Sequence, residues 1–143
     1  MNIFELRDRI REINPVGIAE TIVYGSQDMI VELNREQMER GKDATGDDIA
    51  PTYRSDAYAE LKQRMNSQPE FGTPDLQLTG DFYREMYFDT GAMNPYGSNP
   101  KTASLVKKYG KWIFGLNEES LQKYRPYFNR KFKEEVENIM VNG

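Results

Sequence analysis

Three acids, Asp81, Glu85 and Asp89, recur at four-residue spacing. On one continuous helix they would share a face, and paired carboxylates can serve as acid and base in glycoside hydrolysis. Gly80, Gly91 and an expected change from helix to strand near Met86 interrupt that face, and Arg84 stands beside the acids. The spacing therefore predicts structural pairing, with a carboxylate-based hydrolase as the competing reading. Gly41-Lys42-Asp43-Ala44-Thr45-Gly46 has the glycine content of a phosphate loop. It lacks the Lys-Ser/Thr pair that must follow the second glycine, and Asp47 and Asp48 stand there instead and repel phosphate. Asp43, Asp47 and Asp48 offer oxygens to a hard cation, but the alternation and the distal bidentate Glu of a calcium loop are missing. A surface turn with no metal and no cofactor is expected. Phe82, Tyr83, Tyr87 and Phe88 have the ring content of a base-stacking platform, which needs interleaved cations. Only Arg84 is close, so core packing is expected. The cations gather later, in Lys107, Lys108 and Lys111 and then in Lys123, Arg125, Arg130, Lys131 and Lys133. Those are the candidates for a polyanion or an acidic partner, against the plainer reading of a solvated helix face.

Composition narrows the chemistry further. The chain has 143 residues, no cysteine and no histidine. Disulfides, thiolate metal sites and cysteine nucleophiles are excluded together, and so are imidazole bases, imidazole ligands and His-based triads. A net charge of -4 gives no general basic footprint for nucleic acid. With 38% hydrophobic and 29% charged residues, the core is expected to be thin or completed by neighbours. No apolar run reaches the ~18 residues of a membrane span. Met1-Asn2-Ile3-Phe4-Glu5 lacks the basic and apolar regions of a signal peptide, so a cytoplasmic site of synthesis is expected.

The length predicts a single domain over 1–143, with a helical part over about 1–40 and a mixed α/β core over about 41–143. Ile3, Leu6, Ile10 and Ile13 place aliphatics on one face of a first helix. Asn14-Pro15 ends it and starts a second, Asn as cap and Pro at the first helical position. That second helix is expected to continue into the late thirties, with Ile18, Ile22, Met29 and Leu33 on one stripe and Gly25 marking a close contact or a bend. The loop Gly41–Asp48 and an extended Ile49–Tyr53 follow. Ser55 or Asp56 caps a helix to about Asn66, with Tyr58, Leu61 and Met65 inward. Asp75–Phe88 is the densest hydrophobic and aromatic run and the expected centre of the fold. It contains a helical turn capped by Thr79 or Asp81, then a strand from Met86. Gly91–Pro100 reads as a polar loop or hairpin tip and Lys101–Tyr109 as a short helix stopped by Gly110. Trp112-Ile113-Phe114 reads as a short buried strand or an anchor into the core. Asn117 starts another helix, Pro126 restarts or kinks it, and a final amphipathic helix carries Phe128, Phe132, Val136 and Ile139. The expected class is α+β: long N-terminal helices, a small antiparallel sheet and a C-terminal amphipathic helix.

An ordered set of pieces carries a resemblance. Gly46-Asp47-Asp48-Ile49-Ala50-Pro51-Thr52-Tyr53 is followed by a short helix with Lys62, then by Leu78-Thr79-Gly80-Asp81-Phe82-Tyr83, a strand, Lys108-Tyr109-Gly110, and Ile113-Phe114-Gly115-Leu116-Asn117-Glu118-Glu119. From about Met38 to the C-terminus this resembles the tail-completion, or virion-morphogenesis, proteins of tailed bacteriophages. Ile49 stands where that family usually has Trp. The family's Arg-Pro-Phe-Leu piece matches either Ile113–Leu116 or Arg125–Phe128.

The resemblance implies a non-enzymatic virion protein of the head–tail junction, assembled in the host cytoplasm. It would form a homo-oligomeric ring between the phage connector or portal and tail or neck proteins. Ring interfaces dock one patch on a different patch of the neighbour. The residues assigned to partner contact are Ile3, Leu6 and Ile10 on the first helix, Asn94 and Tyr96 in the Gly91–Pro100 loop, and Arg125, Arg130 and Lys133 on the C-terminal helix. The loops Gly41–Asp48 and Gly91–Pro100 are expected to order only on assembly. Thr79, Gly80, Phe82, Tyr109, Gly110, Trp112 and Phe114 are assigned to the fold. The alternative is a nucleic-acid-binding accessory protein using the basic C-terminal third, with DNA contact that is not sequence-specific.

Overall fold

The computed structural model describes residues 2–77 and 79–142. Leu78, inside the aromatic run, lies outside the described residues. The class is α+β: among the described residues there are seven α-helices, one 3₁₀ turn and a two-stranded antiparallel sheet. The chain divides into two compact units, residues 1–26 with 123–143, and residues 27–122.

The first unit contains α1 (Ile3–Arg11), α2 (Pro15–Gly25) and residues 123–142 of the C-terminal helix α7 (Glu118–Asn142). A reciprocal capping box starts α1: Asn2 Oδ1 accepts from the Glu5 amide at 2.9 Å, and Glu5 Oε2 accepts from the Asn2 amide at 3.2 Å. Asn14 caps α2 by accepting from the Gly17 amide, with Pro15 at the first helical position. Ile18 and Ile22 are buried. The expected long second helix is broken after Gly25. Ser26 leaves the helical region (φ -124, ψ 26), and its hydroxyl donates back to the Ile22 carbonyl at 2.7 Å and meets Tyr124 Oη at 2.6 Å. Of the two readings of Gly25 the bend holds, since no atom lies within 4 Å of where its Cβ would stand. Helix α7 is continuous through Pro126 rather than restarting there. Its Tyr124, Tyr127, Phe128 and Phe132 rings step along one side at 5.9–6.0 Å centroid spacings.

The second unit is organised by α3 (Gln27–Glu39). Its buried face carries Ile30, Val31, Leu33 and Met38 together with two fully buried amides, Asn34 and Gln37. Asn34 donates to the Ile113 carbonyl at 3.1 Å and accepts from the Gly115 amide at 2.9 Å. Gln37 donates to the Gly115 carbonyl at 2.8 Å and accepts from the Asn117 amide at 2.8 Å and from Ser120 Oγ at 2.9 Å. These bonds satisfy the buried polar groups and hold segment 114–117 in an irregular course before α7 starts at Glu118. Of the two readings of Trp112–Phe114, the strand is replaced by a 3₁₀ turn, Lys111–Ile113, and the anchor into the core holds for Ile113 and Phe114. Ile113 and Phe114 enter the core, whereas Trp112, assigned to the fold, is 53% exposed.

Around α3 lie α4 (Asp56–Met65), α5 (Asp81–Arg84), strands β1 (Met86–Asp89) and β2 (Asn94–Gly97), and α6 (Thr102–Tyr109). Ser55 caps α4 through the Tyr58 amide, and the helix stops at Asn66, as expected. Its inward face is different: Ala59 and Lys62 are buried, while Tyr58, Leu61 and Met65 are exposed. The small Ala59 lets the backbone approach, and Lys62 reaches a buried acid. The turn at Asp81 is capped by neither Thr79 nor Asp81. Gly80 takes the cap position in the left-handed region (φ 84), which glycine enters without a Cβ penalty. The β1–β2 hairpin pairs Met86 with Gly97 and Asp89 with Asn94, so of the two readings of Gly91–Pro100, a polar loop or a hairpin tip, the hairpin holds, with β2 inside the segment. Loop Gly41–Asp48 is likewise built within the unit, by a Lys42–Asp48 bridge and by Asp43 Oδ1 accepting from the Thr45 and Asp47 amides.

Candidate functional site

A cleft of about 550 Å³ opens in the second unit between the 44–45 turn, the β1–β2 hairpin and segment 111–116. Its walls include Thr45, Asn94, Tyr96, Lys111, Trp112 and Phe114. Three anchors explain why Trp112 points out of the core. The Ala44 amide donates to the Trp112 carbonyl at 2.6 Å, Asn34 holds the next carbonyl, and Gly110 turns the chain with φ 90. With both neighbouring carbonyls pinned, the indole stands at the cleft wall, and Lys111 Nζ lies 4.8 Å from its ring centroid.

Tyr96 packs its ring 4.9 Å from Phe114 and 6.5 Å, edge-on, from Tyr87 across the hairpin. Tyr87 and Tyr96 are part-exposed rings, Tyr96 resting on the buried Phe114, and Trp112 is a further part-exposed ring in the cleft wall. Acids bond to two of the lining residues, Thr45 and Ala92. Thr45 Oγ1 donates to Asp43 and lies against Asp47, and Asp89 accepts from the Gly91 and Ala92 amides.

The assigned contact residues fall on three surfaces. Asn94 and Tyr96 line this cleft together. Ile3, Leu6 and Ile10 share α1, where none of the nine residues is buried; Ile3 is 75% and its neighbour Phe4 64% exposed. Within the first unit, Arg9 ties α1 to α7 by donating to the Met140 carbonyl at 2.5 Å. Arg125, Arg130 and Lys133 stand on α7 and are exposed. Lys133 approaches Glu137 at 3.9 Å, Lys131 approaches Glu134 at 3.6 Å, and Arg130 lies over the Tyr127 ring. Trp112 and Tyr87 were not assigned to contact from sequence. An aromatic residue next to Ile113 and Phe114 reads as core, and only the α3 amide clamp turns it outward.

The candidate catalytic acids are not brought together. Asp81 pairs with Arg84 on α5, and Asp89 closes the hairpin turn. No group of three or more acids among the described residues could hold a metal ion. The ionisable groups that are buried serve the fold. Lys62 Nζ lies 2.8 Å from Asp75 Oδ1 and donates to the Gln77 carbonyl at 2.6 Å. Tyr83 donates to the Asp75 carbonyl. Burial, then the nearby Asp75 charge, holds the Tyr83 phenol far above the usual tyrosine range.

A second cleft, of about 360 Å³, sets Arg54 and Lys108 beside Tyr53 and Tyr58, whose rings meet edge-on at 4.9 Å. No helix among the described residues is long and apolar enough to cross a membrane. No protein-family model, curated protein or solved structure matches this chain.

Proposed function

We propose that this protein is a non-enzymatic structural component of a tailed-phage virion. It acts at the head–tail junction as a homo-oligomeric ring joining connector or portal to tail or neck proteins. The observation that carries an assembly role is α1: a helix with both ends of its capping box made, and with Ile3, Phe4, Leu6 and Ile10 all left in solvent. Covering a large apolar side chain contributes about 1.5–3 kcal/mol, so this face offers on the order of 6 kcal/mol. Association costs about 4–15 kcal/mol in lost freedom. One such face is too little for a tight dimer, but it serves well where several contacts close together, as in a ring. The location at the head–tail junction rests on the resemblance of Gly46–Tyr53, Thr79–Tyr83 and Ile113–Glu119 to tail-completion proteins.

The test is the mass of the purified protein by light scattering, alone and with the portal and tail proteins of its own virus. A defined ring formed with either partner is the expected result. A stable monomer that ignores both and shifts with DNA in a salt-dependent way overturns it. That outcome would favour a nucleic-acid-binding accessory protein. The second cleft, with Arg54 and Lys108 beside two tyrosines, is the observation on that side. The basic residues of α7 speak less for it, because Lys131 and Lys133 lie next to glutamates of their own helix.

A further inference from the structure

We propose that the aromatic cleft of one copy receives helix α1 of a second copy, making the contact between copies head-to-tail. The inference rests on the assembly reading and names the two surfaces that meet. Ile3, Leu6 and Ile10 stand at i, i+3 and i+7, the anchor spacing of a helix laid into an apolar groove. The cleft supplies such a groove: about 550 Å³, within the range of about 300–1,000 Å³ of sites that enclose a ligand, and walled by Tyr96, Trp112 and Phe114.

Charge fits the same pairing. Arg7 and Arg11 follow Ile3 at four-residue spacing and edge the apolar row, Arg7 with the Asp8 carboxylate 3.0 Å from its guanidinium. Asp43 and Asp47 bond to Thr45 and Asp89 to Ala92, both lining residues, and Lys111 is the charged residue among those that line the cleft. Complementary rims set register and partner choice. The capping box of Asn2 and Glu5 pre-forms the helix, which lowers the ordering cost of docking. Helix and cleft are different patches, so the contact is heterologous. Repeated, it generates a ring or a filament rather than a two-fold dimer.

Trp112 is the single tryptophan of the chain and lies in the cleft wall, so its emission reports cleft occupancy directly. In a dilution series of the full chain, the emission should shift to the blue in step with the mass seen by light scattering. Ile10→Asp should weaken self-association by at least about tenfold, because docking then buries an unpaired charge. Ile3→Asp repeats that arm if Ile10→Asp fails to fold by circular dichroism. Trp112→Glu should block the cleft while leaving α1 intact.

The deciding experiment mixes the two. Ile10→Asp keeps a working cleft and its tryptophan, and Trp112→Glu keeps a working helix and has no tryptophan. Their mixture should form a one-to-one dimer that neither forms alone, with the emission of the Ile10→Asp chain shifted to the blue. Assembly of the wild-type chain with unchanged Trp112 emission, or undiminished by Ile10→Asp, overturns the docking and leaves the assembly reading standing. Absence of any assembly, with or without portal and tail proteins, overturns both.

Discussion

Lys62 carries an ammonium into the interior of the second unit, and its partner Asp75 is as deeply buried: their side chains are 8% and 3% exposed. Burying both charges is compensated by the 2.8 Å contact, by the Gln77 carbonyl on the lysine side, and by the Gln77 amide and Asn66 Nδ2 on the carboxylate side. Breaking the pair leaves a buried carboxylate without its counter-charge. Lys62→Met should lower stability by about 3–5 kcal/mol, read as a shift in the urea midpoint at neutral pH. A loss under about 1 kcal/mol would mean that the two hydrogen bonds left to Asp75 satisfy it.

Tyr83 adds a pH dependence to the same cluster. Its folded-state pKa is raised, first by burial and then by the Asp75 charge, above the value of about 10 for an unfolded tyrosine. The neutral phenol is therefore favoured in the folded state. Its contribution is complete below pH 10 and is lost as pH rises above that, at about 1.4 kcal/mol per pH unit. Unfolding free energies from urea titrations should hold steady to about pH 10 and fall above it at least that steeply, because burial raises the Tyr53 and Tyr124 phenols as well. Tyr83→Phe should make that fall shallower by its own share, at the cost of a lower stability at neutral pH, because the Asp75 carbonyl loses its donor.

At the scale of elements, ends are decided by single residues. Asn2, Asn14 and Ser55 each cap a helix with their own side chain, and Asn14 and Ser55 were legible as caps because Asn and Ser before a periodic apolar run satisfy the first free amides. The break between α2 and α3 was half legible. Gly25 marked a weak point, but Tyr124, whose hydroxyl meets Ser26, lies 98 residues away. The exit from α3 is stricter. Gly41 has φ 73, and a Cβ there would stand 2.9 Å from both Pro69 Cβ and Thr73 Cγ2. Gly41→Ala therefore combines left-handed backbone strain of about 1–2 kcal/mol with overpacking of about 1–3 kcal/mol. A loss of at least about 2 kcal/mol in chemical denaturation is expected. A near-neutral result would show that the Pro69–Thr73 segment moves aside. The inward face of α4 was misread for a related reason. Periodicity located an apolar stripe at Tyr58, Leu61 and Met65, but burial followed Ala59 and the ion pair of Lys62, which no local pattern signals.

For the whole molecule, composition already restricted the chemistry. A chain with no cysteine and no histidine has few means of nucleophilic or metal catalysis, and its acids pair with Arg84 or close turns instead of converging. Its interior is correspondingly polar, with Asn34, Gln37, Asn117 and Ser120 buried beside the aliphatic residues. The sequence by itself determined the α+β class, the starts of α2 and α4, the turn at Gly80, the strand from Met86 and the apolar stripe of α1. All of these follow from local rules of capping, turn chemistry and hydrophobic period, which act within a few residues. It also determined that Ile3, Leu6 and Ile10 lie together, though not that they lie in solvent. Only the tertiary structure decided that α3 serves as the clamp of the second unit, that Trp112 faces a cleft instead of the core, and that Lys62 is buried while Leu61 is not. Those outcomes depend on bonds between residues about 15 to 80 positions apart, such as Lys62 with Gln77 and Asn34 with Gly115. A buried polar group must find its partner wherever the fold brings one, and that requirement, not local propensity, sets which face of each element turns outward.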